Sequence, residues 1–210
     1  MFKALMRRLS SVTIIRFINA LFGTHWPDAS VVSYPSTEFH NLKGKKQGLV
    51  RRVADCAIRI STQGEDHDYI MEIQVRRNTG LVVRIFEYSL GSALLRRLTK
   101  PNSWRDEQWA EGLVRINTLI FPEPKILYLA RPSPVAEILR LDFGTQGVFD
   151  YRVEVVRLLK QSIADIEERH LTILLPFYTL VLRHEVERAA PGEQRVLLMK
   201  CLSSCTRKSI

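Results

Sequence analysis

The sequence predicts an α/β fold, and three observations along the chain lead to that prediction. Residues 49–60 and 69–75 are short and rich in β-branched side chains, which is typical of strands. Residues 81–98 repeat apolar side chains at helical spacing and predict a helix. Further apolar segments at 125–130 and 148–158 then predict a return to strands. A chain in which strands and helices alternate in this way is expected to fold as an α/β protein.

Helices are also predicted on both sides of these segments. Apolar residues recur at helical spacing over residues 14–22. Basic residues precede this segment as in a signal peptide, but Arg16 interrupts it and no small-residue cleavage site follows. The segment is therefore predicted to be an amphipathic first helix rather than a signal peptide. Ser162 followed by Asp165 predicts the capped start of a short helix, and a last helix is expected at about 175–188. No stretch is long and apolar enough to predict a membrane span.

The remaining segments are predicted to connect these elements. Proline and glycine punctuate residues 24–48, which predicts a loop with an edge strand. Residues 101–112 are predicted to form a polar connection that two tryptophans anchor to the core. At 210 residues the chain fits one domain with a modest extension. We expect the core at residues 1–160 and a helical C-terminal extension at residues 161–210.

The first two strands predict a hairpin that brings three polar side chains together. Side chains alternate between the two faces of a strand, so Glu72 and Gln74 share one face of the second strand. Asp55 can face them from the first strand if the register permits, with residues 61–68 as the turn. Cys56 lies on the opposite face, where it is predicted to be a small core residue.

Two carboxylates and an amide on neighbouring strands can hold a divalent metal. Mg²⁺ prefers oxygen ligands, commonly one or two carboxylates together with water and substrate phosphate. Such a metal activates water and offsets charge on a leaving oxygen, and the Gln74 amide can hydrogen-bond the water or a phosphate oxygen. The alternative is an ordinary cross-strand ion pair between Glu72 and Arg51 or Arg59.

The charge of the chain favours a polyanionic partner. Its 31 Lys and Arg outnumber 22 Asp and Glu, for a net charge of +9, which points to nucleic acid or an anionic membrane surface. Several basic residues lie on either side of the candidate site in the sequence. They are predicted either to contact DNA phosphates or to form an ordinary solvated surface. The predicted DNA-binding residues are Lys43, Lys45, Lys46, Arg51, Arg52, Arg76 and Arg77. The three cysteines lack zinc-site spacing and suit a reducing cytoplasm.

Eight short motifs occur in order over roughly residues 16–183: 17–23 (FINALFG), 30–34 (SVVSY), 36–38 (STE), 52–55 (RVAD), 72–74 (EIQ), 84–88 (RIFEY), 124–129 (PKILYL) and 174–178 (LLPFY). Their order and spacing resemble the PD-(D/E)XK nuclease superfamily. Within it they resemble the transposase-like branch of recombination-promoting nucleases, which has a Glu-x-Gln form of the Glu-x-Lys motif and an Arg-x-x-x-Tyr helix signature.

The resemblance implies a restriction-endonuclease-like core, in which helices flank a mixed central β-sheet, and metal-dependent DNA cleavage. By position, Asp55 and Glu72 would be ligands of Mg²⁺, for which Mn²⁺ can substitute. Gln74 would be the catalytic polar residue in place of Lys. Three residues match supporting positions: Glu38, Arg84 and Tyr88.

The helical pair among these supporting residues also follows from spacing. Arg84 and Tyr88 are four residues apart on the predicted helix, so they point in the same direction and can face the hairpin. The alternative is a salt bridge from Arg84 to Glu87 beside a half-buried tyrosine.

Three functions remain open on the sequence alone. The first is a cytoplasmic DNA endonuclease that hydrolyses phosphodiester bonds, with DNA as partner, no membrane association and a homodimer as an option. The second is a weakly active or inactive DNA-binding remnant of a mobile-element nuclease. Residues 197–210 do not resemble the longer helical region of that branch, which is expected for a C-terminally shortened relative. The third is an interaction protein whose apolar C-terminal helix binds a partner.

Overall fold

In the computed structural model, helices pack on both faces of a mixed six-stranded sheet, which confirms the predicted α/β class and its mixed central sheet. The structure describes residues 2–35, 38–41, 50–53, 55–74, 78, 80–99, 104–109, 112–129, 134–158, 161–175, 177, 178, 190, 192–196 and 199. Only the backbone is described for residues 2, 3, 38–41, 50–53, 98, 99, 104–109 and 112–117.

Two helices begin the described chain, α1 (Phe2–Met6) and α2 (Ser11–Phe22). The Ser10 hydroxyl caps α2 by accepting a hydrogen bond from the Thr13 N–H. The helix ends at Gly23, where a φ of 70° gives left-handed backbone that glycine adopts without strain. Apolar side chains at the predicted helical spacing are buried along α2: Ile14, Ile15, Phe17, Ile18, Leu21 and Phe22.

The central sheet is built from β1 (Val31–Ser33), β4 (Cys56–Thr62), β5 (Glu65–Gln74), β8 (Glu123–Tyr128), β9 (Ala136–Asp142) and β10 (Val148–Arg157). Its strand order is β1-β4-β5-β8-β10-β9. β8 pairs in parallel with both β5 and β10, whereas β4 and β9 run antiparallel to their partners. The C-terminal ends of β5, β8 and β10 therefore meet at one edge of the sheet, which we call the carboxyl edge.

The predicted hairpin is present between β4 and β5, but its turn is shorter than expected. Thr62 pairs with Glu65, so the turn contains only Gln63 and Gly64. Gly64 has a φ of 95°, a conformation that two-residue hairpin turns require and glycine tolerates. The prediction of a turn over residues 61–68 was wrong because a polar sequence can pair as a strand where the hairpin end is exposed.

The single strand predicted over residues 49–60 was also wrong, because the chain forms two strands there. Its first part is β3 (Val50–Val53), which pairs with β2 (Glu38–Asn41) in a separate two-stranded sheet. Its second part is β4 in the central sheet. The division between the two sheets falls just before Cys56, so Asp55 lies immediately before the start of β4 rather than within a continuous strand.

Two further differences concern segments predicted as connections. The polar stretch at residues 101–112 contains β6 (Trp104–Trp109), which pairs with β7 (Gly112–Asn117) in a second two-stranded sheet. The prediction failed because backbone pairing in a small sheet needs no apolar pattern. β9 was not predicted either, although its side chains alternate in burial.

Helices and C-terminal residues cover the two faces of the central sheet. α2 packs on the face that contains Cys56, which is buried as predicted. α3 (Leu81–Thr99) confirms the helix predicted at 81–98 and packs on the other face. α4 (Ile163–Glu168) begins with the predicted capping box of Ser162 and Asp165, and its Ile166 joins the core on the α2 side. Most of the helix predicted at 175–188 lies outside the described residues.

Two polar networks join helices to the sheet. Asp68 of β5 is buried and accepts hydrogen bonds from Arg59 at 2.6 and 2.9 Å. Arg96 of α3 lies 3.7 Å from the same carboxylate. On the opposite face, buried Lys125 donates to the Leu21 carbonyl at the end of α2, at 2.8 Å. Among the described helices, none is long and apolar enough to cross a membrane.

Candidate active site

The candidate carboxylates lie opposite each other at the carboxyl edge. Every residue pair of β4 and β5 follows one register, which ends at Cys56 opposite Met71. One further step of that register sets Asp55 opposite Glu72, and residues opposite each other in an antiparallel pair share a face. The register that the sequence left open is thus the one that brings the two acidic residues together.

Each carboxylate accepts a hydrogen bond from the backbone beside the other. The Asp55 N–H donates to Glu72 Oε1 at 3.3 Å, and the Ile73 N–H donates to Asp55 Oδ2 at 2.9 Å. These donors lie where the backbone pairing of the hairpin ends. The two side chains thus continue the hydrogen bonding between the strands beyond the last backbone pair and are fixed by the backbone, which is the kind of support that a preorganised site needs.

The two carboxyl groups differ in exposure. Asp55 is exposed, whereas only 4% of Glu72 is accessible. Burial, and to a lesser extent the nearby charge of Asp55, raise the pKa of Glu72 to about 8. The Asp55 N–H and the positive charge of Arg84 act in the opposite direction. Without a cation, Glu72 therefore retains its proton near neutral pH, because burial disfavours its ionised form and the neighbouring Asp55 carboxylate repels it.

Helix α3 brings two of the three predicted supporting residues, Arg84 and Tyr88, to this face of the sheet. Arg84 acts electrostatically on Glu72, and its buried Nε has no hydrogen-bond partner among the described residues. Tyr88 is 3% exposed and packs in a cluster with Ala57 and Ile70, which lie on the same sheet face as Glu72. Tyr88 is thus buried rather than half-buried. The positive charge of Arg84 thus lies near the acidic pair, where it offsets part of the cost of burying the Glu72 carboxylate.

The third candidate, Gln74, is the last residue of β5 and is partly exposed. It lies two residues beyond Glu72 and therefore on the same face. Its carbonyl accepts a hydrogen bond from the Leu129 N–H at 2.9 Å, so the backbone at the end of the strand is held in place. The side-chain amide lies at the carboxyl edge, the position at which parallel sheets commonly bind ligands.

One alternative reading of Glu72 is wrong. The ion pair between Glu72 and Arg59 does not form, because Arg59 is opposite Asp68 and binds that carboxylate with two hydrogen bonds. Arg51 lies in β3, whose side chains the structure does not describe.

The donor set fits a small hard cation. Each carboxylate uses one oxygen for a backbone N–H, and Mg²⁺ is commonly held by one or two carboxylates with several waters. Among the described side chains, no three His, Cys, Asp or Glu residues converge as a larger metal-binding group. Glu38 lies in β2 opposite Val53, two residues before Asp55, and only its backbone is described.

The predicted DNA-binding residues fall largely outside what the structure describes. Arg51 and Arg52 belong to β3, where the backbone alone is described. The other five lie outside the described residues: Lys43, Lys45, Lys46, Arg76 and Arg77.

Arg157 was missed in the sequence although it ends β10 at the same edge, opposite Tyr128 of β8. The alternation along the predicted strand at 148–158 could have indicated its face. The position of β10 beside β8 could not be inferred from local sequence.

Comparison with known proteins identifies no relative of this chain. No protein-family model matches it, and no curated protein or solved structure shows a significant match.

Proposed function

We propose that this protein is a metal-dependent DNA endonuclease that hydrolyses phosphodiester bonds, related to the transposase-like branch of the PD-(D/E)XK nucleases. The observation that carries the proposal is the pair of Asp55 and Glu72, opposed in register and each bonded to the backbone beside the other. Two acidic groups held so closely are costly to ionise together unless a cation joins them. The net charge of +9 supports a polyanionic substrate such as DNA.

The roles of the residues follow from their chemistry. Asp55 and Glu72 would hold Mg²⁺ or Mn²⁺, and binding would displace the proton that burial retains on Glu72. When bound, the metal would supply water activation and charge neutralisation at the phosphate. Gln74 would orient the attacking water or a phosphate oxygen through its amide. Arg84 would keep the acidic pair partly neutralised, and Tyr88 would hold α3 against the sheet.

Plasmid nicking tests this function directly. Purified protein should nick supercoiled plasmid with Mg²⁺ or Mn²⁺ and not with EDTA, whereas Asp55→Asn and Glu72→Gln should abolish nicking. Both variants preserve side-chain shape, and circular dichroism would verify their fold. The matched control is Glu168→Gln, which removes an acidic charge from exposed α4 and should leave nicking unchanged.

A parallel binding measurement separates nuclease from remnant. Anisotropy of a labelled DNA duplex in EDTA reports binding without cleavage, and binding should weaken with added salt. DNA binding without nicking in any metal would contradict the nuclease proposal and favour the inactive DNA-binding remnant. A folded protein that neither binds nor nicks DNA would contradict both the nuclease and the DNA-binding remnant. The interaction protein would then be the remaining hypothesis.

A further inference from the structure

The parallel strands align one side chain from each of three strands across the carboxyl edge. Gln74 of β5 pairs with Tyr128 of β8, and Tyr128 pairs with Arg157 of β10. Neighbouring strands lie about 4.8 Å apart, so the Cα atoms of Gln74 and Arg157 are roughly 10 Å apart. Arg157 therefore lies beside the candidate site but not in the position of its metal ligands.

The face of Arg157 follows from the burial of its strand. Tyr151 and Val153 are buried beneath α3, and Val155 packs against the same cluster. Since side chains alternate along a strand, Arg157 continues this series on the α3 face. Glu72 lies on that face too, opposite Ile126, which belongs to the same cluster. Arg157 and the acidic pair thus share one face as well as one edge.

Arg157 differs in its contacts from three arginines of the described chain that are bound to carboxylates. Arg16, Arg59 and Arg140 each bind a carboxylate with two hydrogen bonds. Arg157 is only partly exposed, yet its side chain makes no hydrogen bond or ion pair with the described residues. A permanently charged guanidinium in that setting has unused donors in a geometry that suits a phosphate group.

We propose that Arg157 binds a phosphate of the DNA strand next to the phosphate that is cleaved, and so positions the strand over Asp55 and Glu72. The inference deepens the proposed nuclease function and depends on DNA being the substrate. Arg157 is a positioning residue, because it does not lie among the reacting groups.

Three variants test this role. Arg157→Gln removes the charge, Arg157→Lys keeps the charge but loses the forked geometry, and Arg152→Gln is the matched control. Arg152 lies on the same strand but is exposed on its opposite face. Binding to a labelled duplex would be measured in EDTA from about 50 to 200 mM NaCl, the range in which phosphate contacts dominate the salt dependence. Thermal unfolding would verify that each variant is folded.

Arg157→Gln should weaken binding about tenfold and reduce the slope of log K against log salt by about 0.9, the change expected for one phosphate contact. Arg157→Lys should retain the slope, and Arg152→Gln should match the wild type. In Mg²⁺, Arg157→Gln should raise KM for nicking with little change in kcat, because a contact made equally in ground and transition states affects binding alone.

An Arg157→Gln variant with the wild-type affinity and salt slope would overturn the role of Arg157 while leaving nuclease activity to stand. If the wild type does not nick DNA in any metal while Arg157→Gln still shows the predicted changes in DNA binding, only the proposed hydrolysis would be overturned. Absence of any DNA binding by the folded wild type would overturn both.

Discussion

Replacing Glu72 by Gln should stabilise the metal-free protein, and the gain should increase with pH. Folded Glu72 retains its proton up to a pKa of about 8, whereas the same carboxyl ordinarily ionises near 4.5. Between these values the folded chain binds more protons than the unfolded chain, so the free energy of unfolding falls as pH rises. Gln keeps an oxygen for the Asp55 N–H but carries no charge, and therefore avoids this loss.

The size of the effect follows from the separation of the two pKa values. One pH unit corresponds to about 1.4 kcal/mol, so the full loss approaches about 5 kcal/mol above pH 8. Roughly 3–4 kcal/mol of it falls between about pH 5 and pH 8. The difference in the free energy of unfolding between the variant and the wild type should therefore grow by roughly 3–4 kcal/mol from about pH 5 to pH 8.

Urea unfolding followed by circular dichroism, in EDTA and at several pH values, measures the gain. The exposed Glu168→Gln control should differ little from the wild type at every pH. A stability difference between Glu72→Gln and the wild type that stays constant from about pH 5 to pH 8 would refute the reasoning, since it would mean that Glu72 gains no proton on folding.

Three further predictions concern the metal, the core and a helix start. Millimolar Mg²⁺ should raise the Tm of the wild type at about pH 8 but not that of Glu72→Gln; equal shifts in scanning fluorimetry would contradict a metal at this residue. Lys125→Met should lower the free energy of unfolding in urea by about 2 kcal/mol, more than Glu154→Gln, because the buried ammonium also binds the end of α2; equal losses would disprove this. Ser162→Ala should cost about 1 kcal/mol by removing the α4 cap, and an unchanged urea midpoint would contradict it.

The acidic pair could be predicted from the sequence because its geometry is local. Asp55 and Glu72 belong to one hairpin, and the two-residue side-chain period of a strand determines which residues share a face. Helix α3 could also be predicted, since the helical spacing of apolar side chains is visible in residues 81–98. Arg84 and Tyr88 follow from that helix, because four-residue spacing makes them neighbours.

The features that were missed depend on contacts between distant segments. Residues 49–60 have the composition of a single strand on both sides of Asp55. Nothing in the local sequence indicates that the first half pairs with β2 in a separate sheet. Arg157 reaches the carboxyl edge only because β10 lies beside β8, about 30 residues away in the chain. Strand order of this kind is decided by packing of the whole sheet rather than by propensity.

The short β4–β5 turn has a consequence for the order of events during folding. A two-residue turn closes quickly, so Asp55 and Glu72 can meet early, while both are still hydrated. The parallel pairing of β5 with β8 must wait for closure of a loop of about 50 residues, which is slower. The carboxyl pair is thus assembled first and dehydrated later, when β8 and α3 cover it. A divalent cation present during folding would meet this pair while it is still open to solvent, and its binding would then favour the docking steps that bury Glu72.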